Sequence, residues 1–145
     1  MSQIIETYIE KASLLELLKA ELSTVSSVPL GVSPNQGYEL GARFGERDAL
    51  NDVINLVEYA KPIMNEWIDK DRLYYFNGYM SKPVLIRSVE KNLERHMRNA
   101  ANATSDEGYV LGKFLGYQRK LKEKLDELEQ YESVTRDKLI RVVNR

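Results

Sequence analysis

The sequence predicts an all-α fold, a duplicated helical hairpin forming a four-helix arrangement, with an irregular aromatic linker between the halves. Three observations predict it. Four segments carry apolar residues at three- and four-residue spacing, and proline- or glycine-containing breaks separate them. A motif Gly-Tyr-x-Leu-Gly-x-x-x-Gly also occurs twice, 71 residues apart. At 145 residues the chain is of one-domain size, 1–145, with repeat halves of about 1–70 and 71–145.

In the first segment, Ile4, Ile5, Tyr8, Ile9, Leu14, Leu15, Leu17, Leu18 and Leu22 form an apolar stripe, so a helix is expected from Ile4 to Val25. Pro29, Gly31 and Pro34 make residues 26–36 a loop. The second helix is expected from about Asn35 to Ala60, with Leu40, Phe44, Leu50, Val53, Ile54 and Val57 turned inward and Pro62 ending it. Ile63 to Asp69 reads as a short helix. Leu73 to Tyr79 is aromatic and broken by Asn77-Gly78, hence a loop or a small hairpin. Pro83 suits the first turn of a third helix, which reaches about Ala100 with Leu85, Ile86, Val89, Leu93 and Met97 on one face. Gly108 to Tyr131 forms the fourth helix, burying Leu111, Phe114, Leu115, Leu121, Leu125 and Leu128, and Thr135 to Val143 reads as one more helical segment.

The 71-residue offset matches Gly37, Gly41 and Gly45 with Gly108, Gly112 and Gly116, and Leu50 and Glu58 with Leu121 and Glu129. It also carries Leu14, Leu15, Leu18 and Leu22 onto Leu85, Ile86, Val89 and Leu93. A glycine within a helix costs about 0.5–1 kcal/mol relative to alanine, so three per helix need an offsetting gain. Spaced by four, they form a groove without side chains, which a neighbouring backbone can approach closely. Glu39, Arg43, Glu46, Arg47, Lys113 and Arg119 exclude a lipid setting for that groove. The six glycines therefore read as a helix-packing surface. A homodimer with a glycine face at or behind its interface is expected, with a crossing inside one chain as the rival.

The net charge of −1 conceals an asymmetry: residues 1–69 carry 5 basic and 11 acidic side chains, residues 70–145 carry 16 and 11. Absence of cysteine excludes disulfides, thiolate nucleophiles and cysteine-ligated metals, and suits a reducing, cytoplasmic compartment. The N-terminus has no basic region followed by an apolar run, and there is no membrane-length apolar run. Glu123, Asp126, Glu127 and Glu129 alternate with Lys120, Lys122 and Lys124 as on a solvated helix face, and no metal or cofactor motif occurs. The single histidine, His96, lacks a sequence-placed orienting partner and reads as a surface or capping side chain.

Two surfaces remain as candidate sites. Arg87, Lys91, Arg95 and Arg98 form a basic stripe on the third helix, read first as a salt-bridging surface facing the acidic half and second as phosphate contacts. Arg72, Tyr74, Tyr75 and Tyr79 combine arginine with aromatics, which read first as the packing of an inter-hairpin linker and second as the residue types enriched at binding hot spots. In length, absence of cysteine and glycine-tyrosine helix starts, the chain resembles small helical accessory proteins of bacterial viruses and other mobile elements. The expected function is thus a non-catalytic protein-binding module, an inhibitor or adaptor acting on a host protein. The alternative is a binder of nucleic acid or an anionic nucleotide-like ligand through the basic helix face.

Overall fold

The computed structural model describes residues 7–27, 36–60, 63–64, 75–76, 78–101, 108–135 and 138. They form four helices and short strands, in the order β1 (Thr7–Glu10), α1 (Lys11–Ser27), α2 (Gln36–Glu58), β2 (Ile63–Met64), β3 (Tyr75–Phe76), β4 (Tyr79–Ser81), α3 (Lys82–Ala101), α4 (Gly108–Gln130) and β5 (Val134–Thr135). The fold is mostly helical, with a small sheet that periodicity did not reveal. β4, β1 and β5 form one antiparallel sheet, and β2 pairs with β3.

The first helix therefore starts at Lys11 rather than Ile4. Thr7, Tyr8 and Ile9 are β-branched or aromatic, and the strand they form buries both Tyr8 and Ile9, with Ile9 entering the core. The register sets Ile9 opposite Met80, with Tyr8 opposite Ser81 and Glu10 opposite Tyr79. Ile63–Met64 is strand rather than helix, and residues 65–69 lie outside the described residues. The aromatic segment does not close on itself: β3 pairs with β2, while β4 pairs with β1. Thr135, expected to open a last helix, is strand instead, because Val134–Thr135 pairs with β1. Thr135 Oγ1 then accepts from the Lys138 amide at 3.4 Å, an N-cap arrangement, and Lys138 is helical.

Local chemistry fixes the helix ends. Ser81 Oγ accepts from the Val84 amide at 3.3 Å, capping α3. Lys11 Nζ donates to the Glu58 carbonyl at 3.4 Å, and Lys82 Nζ donates to the Glu129 and Tyr131 carbonyls at 2.8 and 3.0 Å. Each lysine, at the start of one helix, thus satisfies carbonyls at the end of the next. The residues in these two links lie 71 apart. Because β1 and β4 pair, α2 and α4 both end at the sheet and run side by side in the same direction, flanked by α1 and α3.

The core consists of Ile9, Leu14, Leu18, Ala49, Leu50, Val53, Ile54, Val57, Met80, Leu85, Val89, Leu121 and Leu128. Burying each large aliphatic side chain contributes roughly 1.5–3 kcal/mol. Above this core, toward the helix N-termini, α2 and α4 approach backbone to backbone. A Cβ added at Gly45 would lie 2.8 Å from the Tyr117 amide nitrogen and closer still to the Lys113 carbonyl oxygen. One added at Gly116 would lie 2.8 Å from Ala42 Cα and closer still to the Ala42 oxygen. Gly41 and Gly112 are buried as well, whereas Gly37 is exposed; the side-chain surroundings of Gly108 lie outside the described residues. No described glycine has a positive φ, so close approach rather than backbone freedom requires them.

The expected burial on α4 is only partly found: Leu111 and Leu115 are exposed, as is Met97 on α3. With glycines at the α2–α4 contact, these neighbouring positions are left on the outer side. No helix among the described residues is long and apolar enough to cross a membrane.

Candidate functional site on helix α3 and the adjoining cavity

The opposite charges of the two halves meet on α4, not on the basic stripe. Lys120 and Lys124, expected on a solvated face, are buried beside Glu21 of α1. Lys120 lies 3.2 Å from Glu21 and 3.1 Å from Glu123; Lys124 pairs with Glu21 and, at 2.6 Å, with Glu127. Burial pushes the Glu21 carboxyl up, but the two ammonium groups outweigh it and hold Glu21 below the ordinary carboxylate range. Burial likewise works against the Lys120 charge, yet Glu123 and Glu21 raise its pKa on balance. Arg119 pairs with Glu46, and Lys113 lies 3.9 Å from Asp48. The oxygens of Glu21, Glu123 and Glu127 approach within 4.8 Å of one another, but these lysines already neutralise them.

Arg87, Lys91, Arg95 and Arg98 are all exposed, as the sequence suggested, and among the described residues none forms an ion pair. The ion pairs expected between the stripe and the acidic half are not formed among the described residues. The core faces of α3, through Leu85 and Val89, fix which side these cations occupy. Arg72 and Tyr74 lie outside the described residues, Tyr75 is placed only as part of β3, and Tyr79 is half-buried in a 180 Å³ cleft with Tyr8 and Tyr131.

Beside the stripe lies a cavity of about 590 Å³ between α2, α3 and α4. Asp48, Asn51 and Asp52 line it from α2, His96 from α3, and Val110, Lys113, Phe114 and Tyr117 from α4. A second cavity of about 370 Å³ shares Asp52, His96 and Tyr117 and adds Asn55, Leu56, Asn92 and Arg95. Arg95 thus belongs to both the stripe and the cavity wall.

At the centre Tyr117 Oη donates to Asp52 Oδ2 at 2.5 Å. Burial, reinforced by that bond and the negative Asp52, pushes the Tyr117 pKa well above its ordinary value, so the phenol stays protonated. The His96 ring lies 4.2 Å from Tyr117 and 5.2 Å from Phe114, centroid to centroid. Burial pushes its pKa down, partly opposed by a hydrogen bond to the Phe114 backbone and by Asp52, so the ring is neutral at pH 7. His96 Nε2 is buried without a hydrogen-bond partner among the described residues. His96 is thus neither the surface nor the capping residue expected from sequence.

These residues were missed because the cavity is assembled from three helices. One signal was present. At the 71-residue offset His96 stands opposite Val25, Phe114 opposite Arg43 and Tyr117 opposite Glu46, so three rings of one half replace aliphatic or charged residues of the other. No protein-family model matches the chain, and no curated protein or solved structure matches it either.

Proposed function

We propose that the chain is a non-catalytic binding module whose working surface is the exposed face of α3 with the cavity beside it, and that its partner presents anionic groups, as nucleic acid or a nucleotide-like ligand does. The observation that carries this is the state of the cations. Arg119, Lys120 and Lys124 on α4 have close carboxylate partners, whereas Arg87, Lys91, Arg95 and Arg98 have none among the described residues. The ends of the stripe are eleven positions apart, a rise of about 16 Å along the helix, and cations without ion-pair partners among the described residues over that length attract a polyanion. Binding rather than turnover suits the cavity, since the phenol is held protonated and Asp52 accepts its proton in a hydrogen bond.

The two hairpins are, in the same proposal, copies of one unit. The matched lysine-to-carbonyl links and the reciprocal contacts of Gly45 with Lys113 and Gly116 with Ala42, all related by the 71-residue offset, support that. A protein partner, for an inhibitor or adaptor, is the second reading. Exposure of Met97, Leu111 and Leu115 favours it, and a homodimer would use such positions, because Gly45 and Gly116 already pack within the chain.

The test is to replace Arg87, Lys91, Arg95 and Arg98 by glutamate and measure binding of a fluorescent single-stranded oligonucleotide. Loss of binding with an unchanged circular dichroism spectrum is expected. Undiminished binding by the folded variant would refute a role for the stripe.

A further inference from the structure

We propose that the cavity between α2, α3 and α4 is a nucleobase pocket, so that the anionic ligand of the α3 face is a nucleotide. This rests on the anion-binding function proposed above and adds to it the recognition of a base.

Size permits it: about 590 Å³ lies within the range of roughly 300–1,000 Å³ common for small-ligand sites. Phe114, Tyr117 and His96 line it as a cluster of contacting rings, and aromatic side chains are what bases stack on whatever their sequence. The wall supplied by α2 is made of edge-reading groups. Asn51 can pair with a base that presents an acceptor and a donor together, as adenine does, and a carboxylate accepts from an exocyclic amino group. Asp48 is free for that task, because its contact with Lys113 is long, at 3.9 Å, and both side chains are about half exposed. Asp52 spends one oxygen, Oδ2, on Tyr117. Arg95 and the stripe beyond it then supply the phosphate contacts.

The same carboxylates argue against an acidic peptide. A glutamate or aspartate side chain entering the cavity would meet Asp48 and Asp52, whereas a base brings amino donors to them. At the offset-related positions, where the rings are replaced by Val25, Arg43 and Glu46, ion pairs such as Glu46 with Arg119 occupy the surface instead. One half of the chain thus carries the chemistry of a base site and the other does not.

The experiment compares full-length protein binding to three probes of equal length and charge: an oligodeoxycytidine, an oligothymidine and an abasic strand, with cytidine monophosphate as competitor. Binding of oligodeoxycytidine about tenfold tighter than the abasic strand is expected, with oligothymidine between them. Asn51→Ala, at an exposed position, and Phe114→Leu should reduce that preference while leaving abasic binding unchanged. Displacement by cytidine monophosphate alone identifies a free nucleotide as sufficient, and its failure identifies a strand as the source; either outcome retains the pocket if the base preference holds. Equal affinity for abasic and base-bearing strands would overturn the pocket and leave the stripe intact. No binding to any strand, or equal binding of a polyglutamate peptide, would overturn both.

Discussion

Gly116→Ala adds one methyl group at the closest approach of α2 and α4. Its carbon would lie 2.8 Å from Ala42 Cα and nearer still to the Ala42 oxygen, both backbone atoms that cannot rotate away. Carbon atoms pack best at about 3.5–4.0 Å, so the helices must part by about an ångström, and such a gap forfeits a quarter to a half of the dispersion gain of the surrounding contacts. Overpacking costs about 1–3 kcal/mol, and against backbone atoms that cannot rotate away the upper part of that range, about 2–3 kcal/mol, applies. Alanine regains about 1 kcal/mol of helix propensity, leaving a net loss of about 1–2 kcal/mol. At about 4 °C per kcal/mol, the melting temperature should fall by about 4–8 °C. Gly45→Ala should behave alike, and the double variant should lose less than the sum, because parting the helices once relieves both sites. Gly78→Ala is the control: nothing lies within 4 Å of its added carbon and its φ is not positive, so stability should stay within about 1 kcal/mol of wild type. Thermal unfolding followed by circular dichroism reads all four variants against wild type. If Gly116→Ala and Gly45→Ala melt at or above wild type, the backbone-to-backbone contact is not what holds α2 to α4.

The other predictions concern charge. The His96 pKa is lowered in the fold, so its stabilising effect is complete above the ordinary value of 6.5 and is lost as pH falls below it. Urea unfolding of His96→Val between pH 7.5 and 5 should therefore show a flatter pH dependence than wild type, and identical slopes would contradict the burial of a neutral ring. Glu21 is likewise lowered, from 4.5, so its contribution is present above that pH and lost as acid protonates it in the fold. Glu21→Ala leaves Lys120 and Lys124 buried with only their exposed partners and should cost about 3 kcal/mol at pH 7 by denaturant titration; a loss under about 1 kcal/mol would mean that the lysines reach water readily.

The helices were legible because three- and four-residue spacing is a local signal. Leu14, Leu18, Leu50, Val53, Leu85, Val89 and Leu121 all lie in the core that their periodicity assigned them. The strands were not legible. β1 and β5 are two to four residues long and owe their conformation to partners more than seventy residues away, Met80 and Ser81 among them. Ile9 accordingly read as part of a helical stripe. Amphipathic pattern also misplaced Lys120 and Lys124, since an alternation of lysine and glutamate looks alike whether the partner is on the same helix or, like Glu21, on another one that buries it. The stripe of Arg87, Lys91, Arg95 and Arg98 was visible from spacing alone, but its lack of ion-pair partners among the described residues required the positions of the acidic residues. The cavity depended on three helices converging, and only the unmatched rings at His96, Phe114 and Tyr117 marked it in the sequence.

The most direct test of the α3 face is the affinity of the full-length protein for a single-stranded oligonucleotide as a function of salt concentration. Each phosphate neutralised by a cation on a single strand contributes about −0.7 to the slope of log affinity against log salt. Three to four contacts from Arg87, Lys91, Arg95 and Arg98 predict a slope of about −2 to −3, falling toward zero when all four are changed to glutamate. A slope near zero for the wild-type protein, or the same slope in the charge-reversed variant, would contradict binding through the stripe.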